Sequence, residues 1–198
     1  MTCAVAYRPR RRPDRRIPNS EYTLLAVDGR ITDEHGTIYT DNAVKWAQAG
    51  SITAVLAGDM SAMQRAIQSL LEASKRQGAW KPLKPRQAHM VMCGHKPSKT
   101  SEGWDALMYD SQTHSLYSCD SDGAICRIDQ RIAAIGEGCD VALGYLSAFK
   151  PNGANWTSQS ARHRLRRAIA CASERNSTVG PTSTVLLVRP DGTVQVRG

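Results

Sequence analysis

The stretch Met1-Thr2-Cys3-Ala4-Val5-Ala6-Tyr7 decides how the rest of the chain is interpreted. The short apolar run from Cys3 to Tyr7 predicts a buried strand. Methionine removal is efficient when the second residue is small, so we expect a mature chain that begins at Thr2. An N-terminal threonine carries a hydroxyl beside a free α-amine whose ordinary pKa is about 7.7–8.0, and that amine can accept the hydroxyl proton. Thr2 is therefore a candidate nucleophile with its own base.

Three further features follow along the chain in a fixed order. The apolar run 24–27 predicts a second buried strand, and it ends at Asp28 and Gly29. Lys45 then precedes another apolar run at 52–57, which closes at Gly58 before a helical pattern. None of these features is specific alone, and it is their order that carries the information.

This ordered set resembles the proteasome β-subunit family, most closely the bacterial HslV-type peptidases and their phage-borne relatives. That family has a threonine at the start of the first strand and an Asp-Gly after the second. A lysine opens the next core strand, and a glycine follows that strand before the first long helix. These four places are taken in order by Thr2, Asp28, Lys45 and Gly58. The resemblance continues, with gaps, through 132–136 to a closing hairpin.

The resemblance implies an α+β fold of the N-terminal nucleophile (Ntn) hydrolase type. In this fold, two mainly antiparallel sheets are sandwiched between helical layers in the order αββα. It also implies a threonine-type endopeptidase in which Thr2 attacks a peptide carbonyl, Asp28 pairs with Lys45, and the N–H of Gly58 receives the oxyanion. The subunits would form a homo-oligomeric ring, in stacked rings, to which a ring ATPase unfoldase supplies polypeptide substrates.

The periodicity of apolar residues and the turn signals predict the same order of elements. The predicted strands lie at 2–7, 22–27, 37–39, 43–49, 52–57, 104–109, 114–119, 123–128, 132–135, 184–188 and 193–196. The predicted helices lie at 59–76, 87–92, 139–149 and 157–174. The segment 79–103 carries three prolines and has room for only a short helix, where the family has a second long one.

Composition limits the organisation and location of the protein. With 198 residues, the chain is expected to form a single domain over 1–198 with a substantial core. No apolar run reaches eighteen residues and the start is too short and polar for a secretory signal, so we expect a cytoplasmic protein without a membrane span. The six cysteines lack paired spacing, which favours free thiols. Cys93-Gly94-His95 has no partner motif, so we expect no metal and no cofactor.

The net charge of +8 comes partly from two arginine clusters. The first, from Arg8 to Arg16, is interrupted by prolines and predicts a basic loop insertion at 8–20. The second, from Arg162 to Arg167, falls on a predicted helix. Such clusters are typical of nucleic-acid or acidic-partner binding, and equally of a solvated loop and helix face. No aromatic residues interleave with the arginines, so stacking of bases has no platform.

Two departures from the family pattern keep other functions open. The family has Gly-Ser-Gly where this chain has Gly136-Glu137-Gly138. A carboxylate beside the Thr2 amine would raise the amine pKa, whereas a carboxylate that points to solvent or to a neighbouring subunit would not. The segment 176–180 lacks the acid and the serine that the family often shows there. The alternatives are a catalytically inactive ring or scaffold protein, for instance one that keeps Met1, and a nucleic-acid-binding protein that uses the Arg8–Arg16 loop.

Overall fold

The computed structural model describes residues 2–9, 22–32, 35, 37–77, 82–94, 103–149 and 156–197. Most of the basic insertion predicted at 8–20 lies outside the described residues, apart from Arg8 and Pro9. Of the proline-containing segment 79–103, the structure describes 82–94 and Gly103.

The described part of the chain alternates strands and helices in the order that the sequence predicts, with one additional two-residue strand at Ile31–Thr32. Its strands are β1 (Cys3–Tyr7), β2 (Thr23–Asp28), β3 (Ile31–Thr32), β4 (Ile38–Thr40), β5 (Trp46–Ala49), β6 (Ile52–Gly58), β7 (Trp104–Asp110), β8 (Ser115–Asp120), β9 (Ile125–Ile128), β10 (Ile132–Gly136), β11 (Ser183–Val188) and β12 (Val194–Arg197). Its helices are α1 (Met60–Gln77), α2 (Pro85–Cys93), α3 (Cys139–Ala148) and α4 (Ser158–Arg175). None of the described helices is long and apolar enough to cross a membrane.

The strands form two five-stranded antiparallel sheets. The first sheet has the order β10-β1-β2-β11-β12, and the second has the order β5-β6-β7-β8-β9. The short strands β3 and β4 pair only with each other. Strand β1 lies inside the first sheet, where Cys3 is opposite Gly136 and Ala4 is opposite Val27. The start of β1 is therefore held by neighbours on both sides.

Side chains that alternate along the strands build three apolar layers. In β1, Ala4 and Ala6 face the second sheet, while Val5 and Tyr7 face α3 and α4. The same alternation in β6 turns Val55 and Ala57 toward the first sheet, and Ile52, Ala54 and Leu56 toward α1 and α2. Successive side chains of a strand point to opposite faces, so a strand covered on both faces must be apolar throughout. The result is the predicted four-layer αββα sandwich.

The bounds of several elements differ in detail from the sequence prediction, and two of these differences have a physical reason. Strand β5 begins at Trp46 and not at residue 43, because the Ala43 N–H donates to the Gly29 carbonyl at 2.8 Å. The Lys45 carbonyl, directly before the strand, still accepts from the Leu56 N–H of β6 at 2.9 Å. Helix α2 begins at Pro85, two residues before its predicted start. Proline is favoured at the first position of a helix, where its missing N–H has no intrahelical partner to lose. The predicted shortness of this helix is confirmed.

Candidate active site

Thr2 immediately precedes β1, and the backbone around it is held from two directions. The Thr2 carbonyl accepts a hydrogen bond from the Glu137 N–H at 3.0 Å. The N–H of the next residue, Cys3, donates to Asp28 Oδ1 at 2.9 Å. The residue is 1% exposed. Its hydroxyl is thereby fixed in a buried position between the two sheets.

Asp28, the last residue of β2, has a fully buried side chain. Its carboxylate accepts three backbone N–H groups, from Cys3 at 2.9 Å, Gly180 at 2.9 Å and Arg30 at 3.2 Å. Burial raises the pKa of Asp28, and Lys45 together with these N–H donors opposes that rise. The donors come from three separate parts of the chain, so the orientation of the carboxylate is fixed by the fold.

Lys45 is brought to both of these residues from the segment before β5. Its Nζ donates to Thr2 Oγ1 at 2.5 Å, to Asp28 Oδ1 at 3.4 Å, and to the carbonyl of Arg30. A lysine ammonium has three N–H donors, and all three are used here. The side chain is 1% exposed, and burial lowers the pKa of Lys45 against the opposing effect of Asp28. The structure therefore brings Thr2, Asp28 and Lys45 together.

Gly58 neighbours the site through the residue before it, Ala57. Gly58 ends β6 with φ of 130°, opposite Trp104, and a β-carbon there would overlap the carbonyl of Gly103. The preceding Ala57 has its Cβ 3.0 Å from the position of a β-carbon at Gly136. A β-carbon at Gly136, where φ is 82°, would overlap the Thr2 carbonyl. Both glycines are thus required by close backbone approach at the edge of the site.

Glu137, the residue that departs from the family pattern, faces the turn that follows α4. Its Oε2 accepts from Thr178 Oγ1 at 2.8 Å and from Asn176 Nδ2 at 3.3 Å. The same turn supplies the Gly180 N–H to Asp28. The carboxylate therefore has two partners within the chain, a placement that the sequence reasoning did not consider.

Arg30 is a residue of this site that the sequence reasoning missed. Its backbone N–H donates to Asp28 and its carbonyl accepts from Lys45. Its guanidinium pairs with Asp41 at 2.7 Å. Two features of the sequence could have indicated Arg30. It directly follows the Asp28-Gly29 turn, and Asp41 lies on the segment that leads to Lys45.

Other candidate chemistry is not assembled in the part of the chain that the structure describes. Among those residues, no three His, Cys, Asp or Glu side chains come together as a metal site. Cys3 follows Thr2, but burial, with a smaller contribution from Asp28, raises the pKa of its thiol to about 12. A thiol must ionise to act as a nucleophile, so Cys3 is inert near neutral pH.

One described arginine from each basic cluster, Arg8 and Arg164, has partners inside the domain. Arg8 donates to the carbonyl of Ile128 at 2.9 Å. The Arg164 guanidinium lies over the rings of Phe149 and Trp156, at 4.4 Å and 5.1 Å from their centroids. These two arginines therefore make contacts within the domain, and their presence in the sequence does not require a nucleic-acid partner.

Two antiparallel sheets between helical layers, with a buried lysine against a hydroxyl at the start of the first strand, define the Ntn-hydrolase architecture. A family model described as "Proteasome subunit" matches residues 17–188, and the chain belongs to that family. This confirms the resemblance predicted from the sequence. The match includes Asp28, Lys45 and Gly58, and it begins after Thr2.

A curated relative supports the same assignment over a shorter region. The chain is 37% identical over 79 residues to a protein named proteasome subunit beta 1 from Nitrosopumilus maritimus (strain SCM1). The aligned region is 39% of this chain and spans 37% of the length of that relative.

Proposed function

We propose that this chain is a threonine-type endopeptidase subunit in which Thr2 is the nucleophile once Met1 has been removed. The observation that carries the proposal is the 2.5 Å contact between Lys45 Nζ and Thr2 Oγ1. A cation at that distance stabilises the alkoxide that forms when the hydroxyl loses its proton. It also disfavours a second ammonium nearby, so the α-amine of Thr2 stays in its free-base form more often.

The lysine acts by its charge and not as the base. Its three N–H donors go to Thr2, Asp28 and the Arg30 carbonyl, an arrangement that suits the ammonium. An ammonium has no lone pair with which to accept a proton. The base is then the α-amine of Thr2 itself, acting directly or through one water.

The reaction proceeds in two halves. The Thr2 hydroxyl proton passes to the α-amine as Oγ1 bonds to the peptide carbonyl carbon. The intermediate collapses with cleavage of the C–N bond, and the ammonium proton goes to the leaving amine. A water then gives a proton to the α-amine as its oxygen bonds to the ester carbon. The proton on the amine returns to Oγ1 as the bond between Oγ1 and that carbon breaks. The acid product leaves and Thr2 is regenerated.

Gly58 is the proposed donor to the tetrahedral oxyanion. Its N–H belongs to the end of β6, where the side chain of the preceding Ala57 lies against Gly136, the residue that pairs with Cys3 of β1. A backbone donor is already oriented before the charge develops, and loss of one such donor typically costs about 2.7–4 kcal/mol.

The proposal includes assembly and location. Copies of this single-domain chain form a homo-oligomeric ring, in stacked rings, that encloses the sites, and a ring ATPase unfoldase supplies polypeptides. Membership of the proteasome subunit family supports the ring, and six free cysteines suit the reducing cytoplasm. Light scattering should give a mass several times 21.6 kDa, and a strict monomer at micromolar concentration would contradict the ring.

The test of the nucleophile compares Thr2→Ala with Thr2→Ser in hydrolysis of small fluorogenic peptides. Thr2→Ala should abolish turnover and leave assembly intact, whereas Thr2→Ser should keep measurable turnover. Thr53→Ala is the control, because it removes another buried hydroxyl, one that has no hydrogen-bond partner in the described structure. Turnover retained by a clean Thr2→Ala preparation would refute the mechanism.

A second candidate is an inactive ring protein with the same fold. Glu137 and Asn176, at positions where the family has a serine and often an acid, favour it. N-terminal sequencing separates the two candidates, because a chain that keeps Met1 has no threonine amine to serve as the base.

A further inference from the structure

The guanidinium of Arg30 joins two segments of the chain that both lead to the candidate site. Its Nε and Nη2 donate to the two carboxylate oxygens of Asp41, at 2.7 Å and 3.2 Å. Its Nη1 donates to the carbonyl of Ser177 at 2.8 Å. The two parallel bonds to Asp41 form the bidentate arrangement that is strongest for an arginine and a carboxylate. The Arg30 side chain is 13% exposed and the Asp41 side chain is 33% exposed, so the pair is partly shielded from solvent.

The backbone of Arg30 contacts both members of the buried ion pair. Its N–H donates to Asp28 Oδ2 at 3.2 Å, and its carbonyl accepts from Lys45 Nζ. Any shift of the Arg30 backbone therefore changes the position of the carboxylate and of the ammonium together.

Asp41 stands on the segment that carries Lys45, and this segment is packed tightly. The Asp41 carbonyl accepts from Thr182 Oγ1 at 2.6 Å, and a β-carbon at Gly29 would overlap that carbonyl. A β-carbon at Gly180 would lie 2.7 Å from Arg30 Cβ and 3.0 Å from Asp41 Oδ1. The pair thus fixes the segment before Lys45 against the turn whose Gly180 N–H binds Asp28.

We propose that Arg30, through Asp41, is a positioning residue that holds the Lys45 ammonium against the Thr2 hydroxyl. The inference rests on the proposed function, because it assigns a role in that reaction. A lysine ammonium sits on a flexible four-carbon stem, so its place depends on its acceptors and on the backbone that carries it. All three guanidinium nitrogens of Arg30 are bonded to protein groups, so the side chain is not committed to substrate.

The test measures kcat and KM for Arg30→Ala, Arg30→Lys, Asp41→Ala and the Arg30→Ala/Asp41→Ala double variant. Misplacement of a reacting group by about 1 Å costs about 100-fold in rate, so kcat should fall by about that factor in each alanine variant. KM should stay unchanged. The double variant should be no slower than the single ones, and Arg30→Lys should recover part of the loss. Arg76→Ala is the control, since it removes an arginine from an exposed pair with Glu72.

A crystal structure of each variant supplies a readout that does not depend on turnover. Lys45 Nζ should lie beyond hydrogen-bond distance of Thr2 Oγ1 in the alanine variants and stay bonded to it in the wild type. Wild-type kcat in the alanine variants, losses that multiply in the double variant, or an unmoved ammonium would each overturn the proposal. If Arg30→Ala does not fold, Arg30→Lys and Asp41→Ala carry the same test. A wild-type protein with no turnover would refute the proposed function alone, and the crystal structures would then decide whether Arg30 positions Lys45.

Discussion

Lys45 and Thr2 approach from opposite sheets, yet Lys45 Nζ lies 2.5 Å from Thr2 Oγ1. Thr2 precedes β1 of the first sheet and Lys45 precedes β5 of the second. Both residues are 1% exposed. A buried ammonium is costly unless it is paired and hydrogen-bonded, and Asp28 supplies the countercharge. We infer that the ammonium is buried here because it acts on the Thr2 hydroxyl.

The first prediction concerns the stability of the ion pair. Asp28→Asn should lower the free energy of unfolding by about 3–5 kcal/mol, because it leaves the Lys45 ammonium buried without a countercharge. The Asp28→Asn/Lys45→Met double variant should lose less than the single variant, since it removes both charges. Denaturant titration measures both. The Lys45→Met single variant is measured in the same way. A double variant that loses as much stability as Asp28→Asn and Lys45→Met lose together would contradict a coupled buried pair.

The exposed pair of Arg76 and Glu72 provides the comparison. Their side chains lie 3.5 Å apart on α1 and are well exposed to solvent. Replacing either with alanine should change the free energy of unfolding by about 1 kcal/mol or less. A larger change would show that the measurement does not separate buried from surface pairs.

The second prediction concerns the alkaline limb of the pH–rate profile. The ammonium is the active form of Lys45, so activity is lost as pH rises through the pKa of this group. Burial lowers that pKa from its ordinary value of 10.5. The falling limb of kcat should therefore lie below pH 10.5, with the fold monitored by circular dichroism at each pH. A falling limb at or above that value would show that Lys45 does not control the alkaline side.

The third prediction concerns Glu137, for which the sequence leaves two outcomes open. Its carboxylate already accepts hydrogen bonds from Thr178 and Asn176. We therefore expect Glu137→Ser to leave the rising limb of the pH–rate profile in place. The lost hydrogen bonds should lower the free energy of unfolding by about 0.5–1.5 kcal/mol each. A rising limb that moves to lower pH, with higher activity near neutrality, would show instead that the carboxylate reaches the Thr2 amine.

The fourth prediction separates the threonine from the neighbouring thiol. With a pKa of about 12, the Cys3 thiol is ionised in only about one molecule in ten thousand at pH 8. Iodoacetamide should leave Cys3 unmodified in the folded protein while it alkylates the exposed Cys126. Peptidase activity should survive this treatment. Loss of activity that follows alkylation of Cys3 would contradict the assignment of Thr2 as the nucleophile.

The layered fold could be predicted from the sequence because both faces of its central strands are covered. The run 3–7 is apolar throughout and the run 52–57 is apolar except for Thr53, which is typical of strands between two packed layers. The helices at 59–76 and 157–174 were visible from their apolar periodicity, and the structure places them within one or two residues. Strand β5 was predicted too long at its start, because Ala43 bonds to Gly29, although Lys45 still bonds to Leu56 of β6.

Residues of the site could be predicted only where their order along the chain matched the pattern of the family. Thr2, Asp28 and Lys45 are far apart in the chain, and no local pattern indicates that their side chains meet. The bidentate pair of Arg30 and Asp41 was missed for the same reason, since it forms only when the segment before Lys45 folds back over the Asp28-Gly29 turn. The partners of Glu137 depend on a turn at the far end of α4, which periodicity does not place.

Mass spectrometry of the N-terminal peptide can show whether Thr2 acts as an N-terminal nucleophile. The purified protein is incubated with a small activated ester, such as a nitrophenyl ester that transfers its acyl group and releases nitrophenolate, and the peptide is then sequenced. We predict a peptide that begins at Thr2 and carries the acyl group on the Thr2 side chain, and no such adduct in Lys45→Ala. A peptide that still begins with Met1, or a free Thr2 that stays unmodified, would contradict the account.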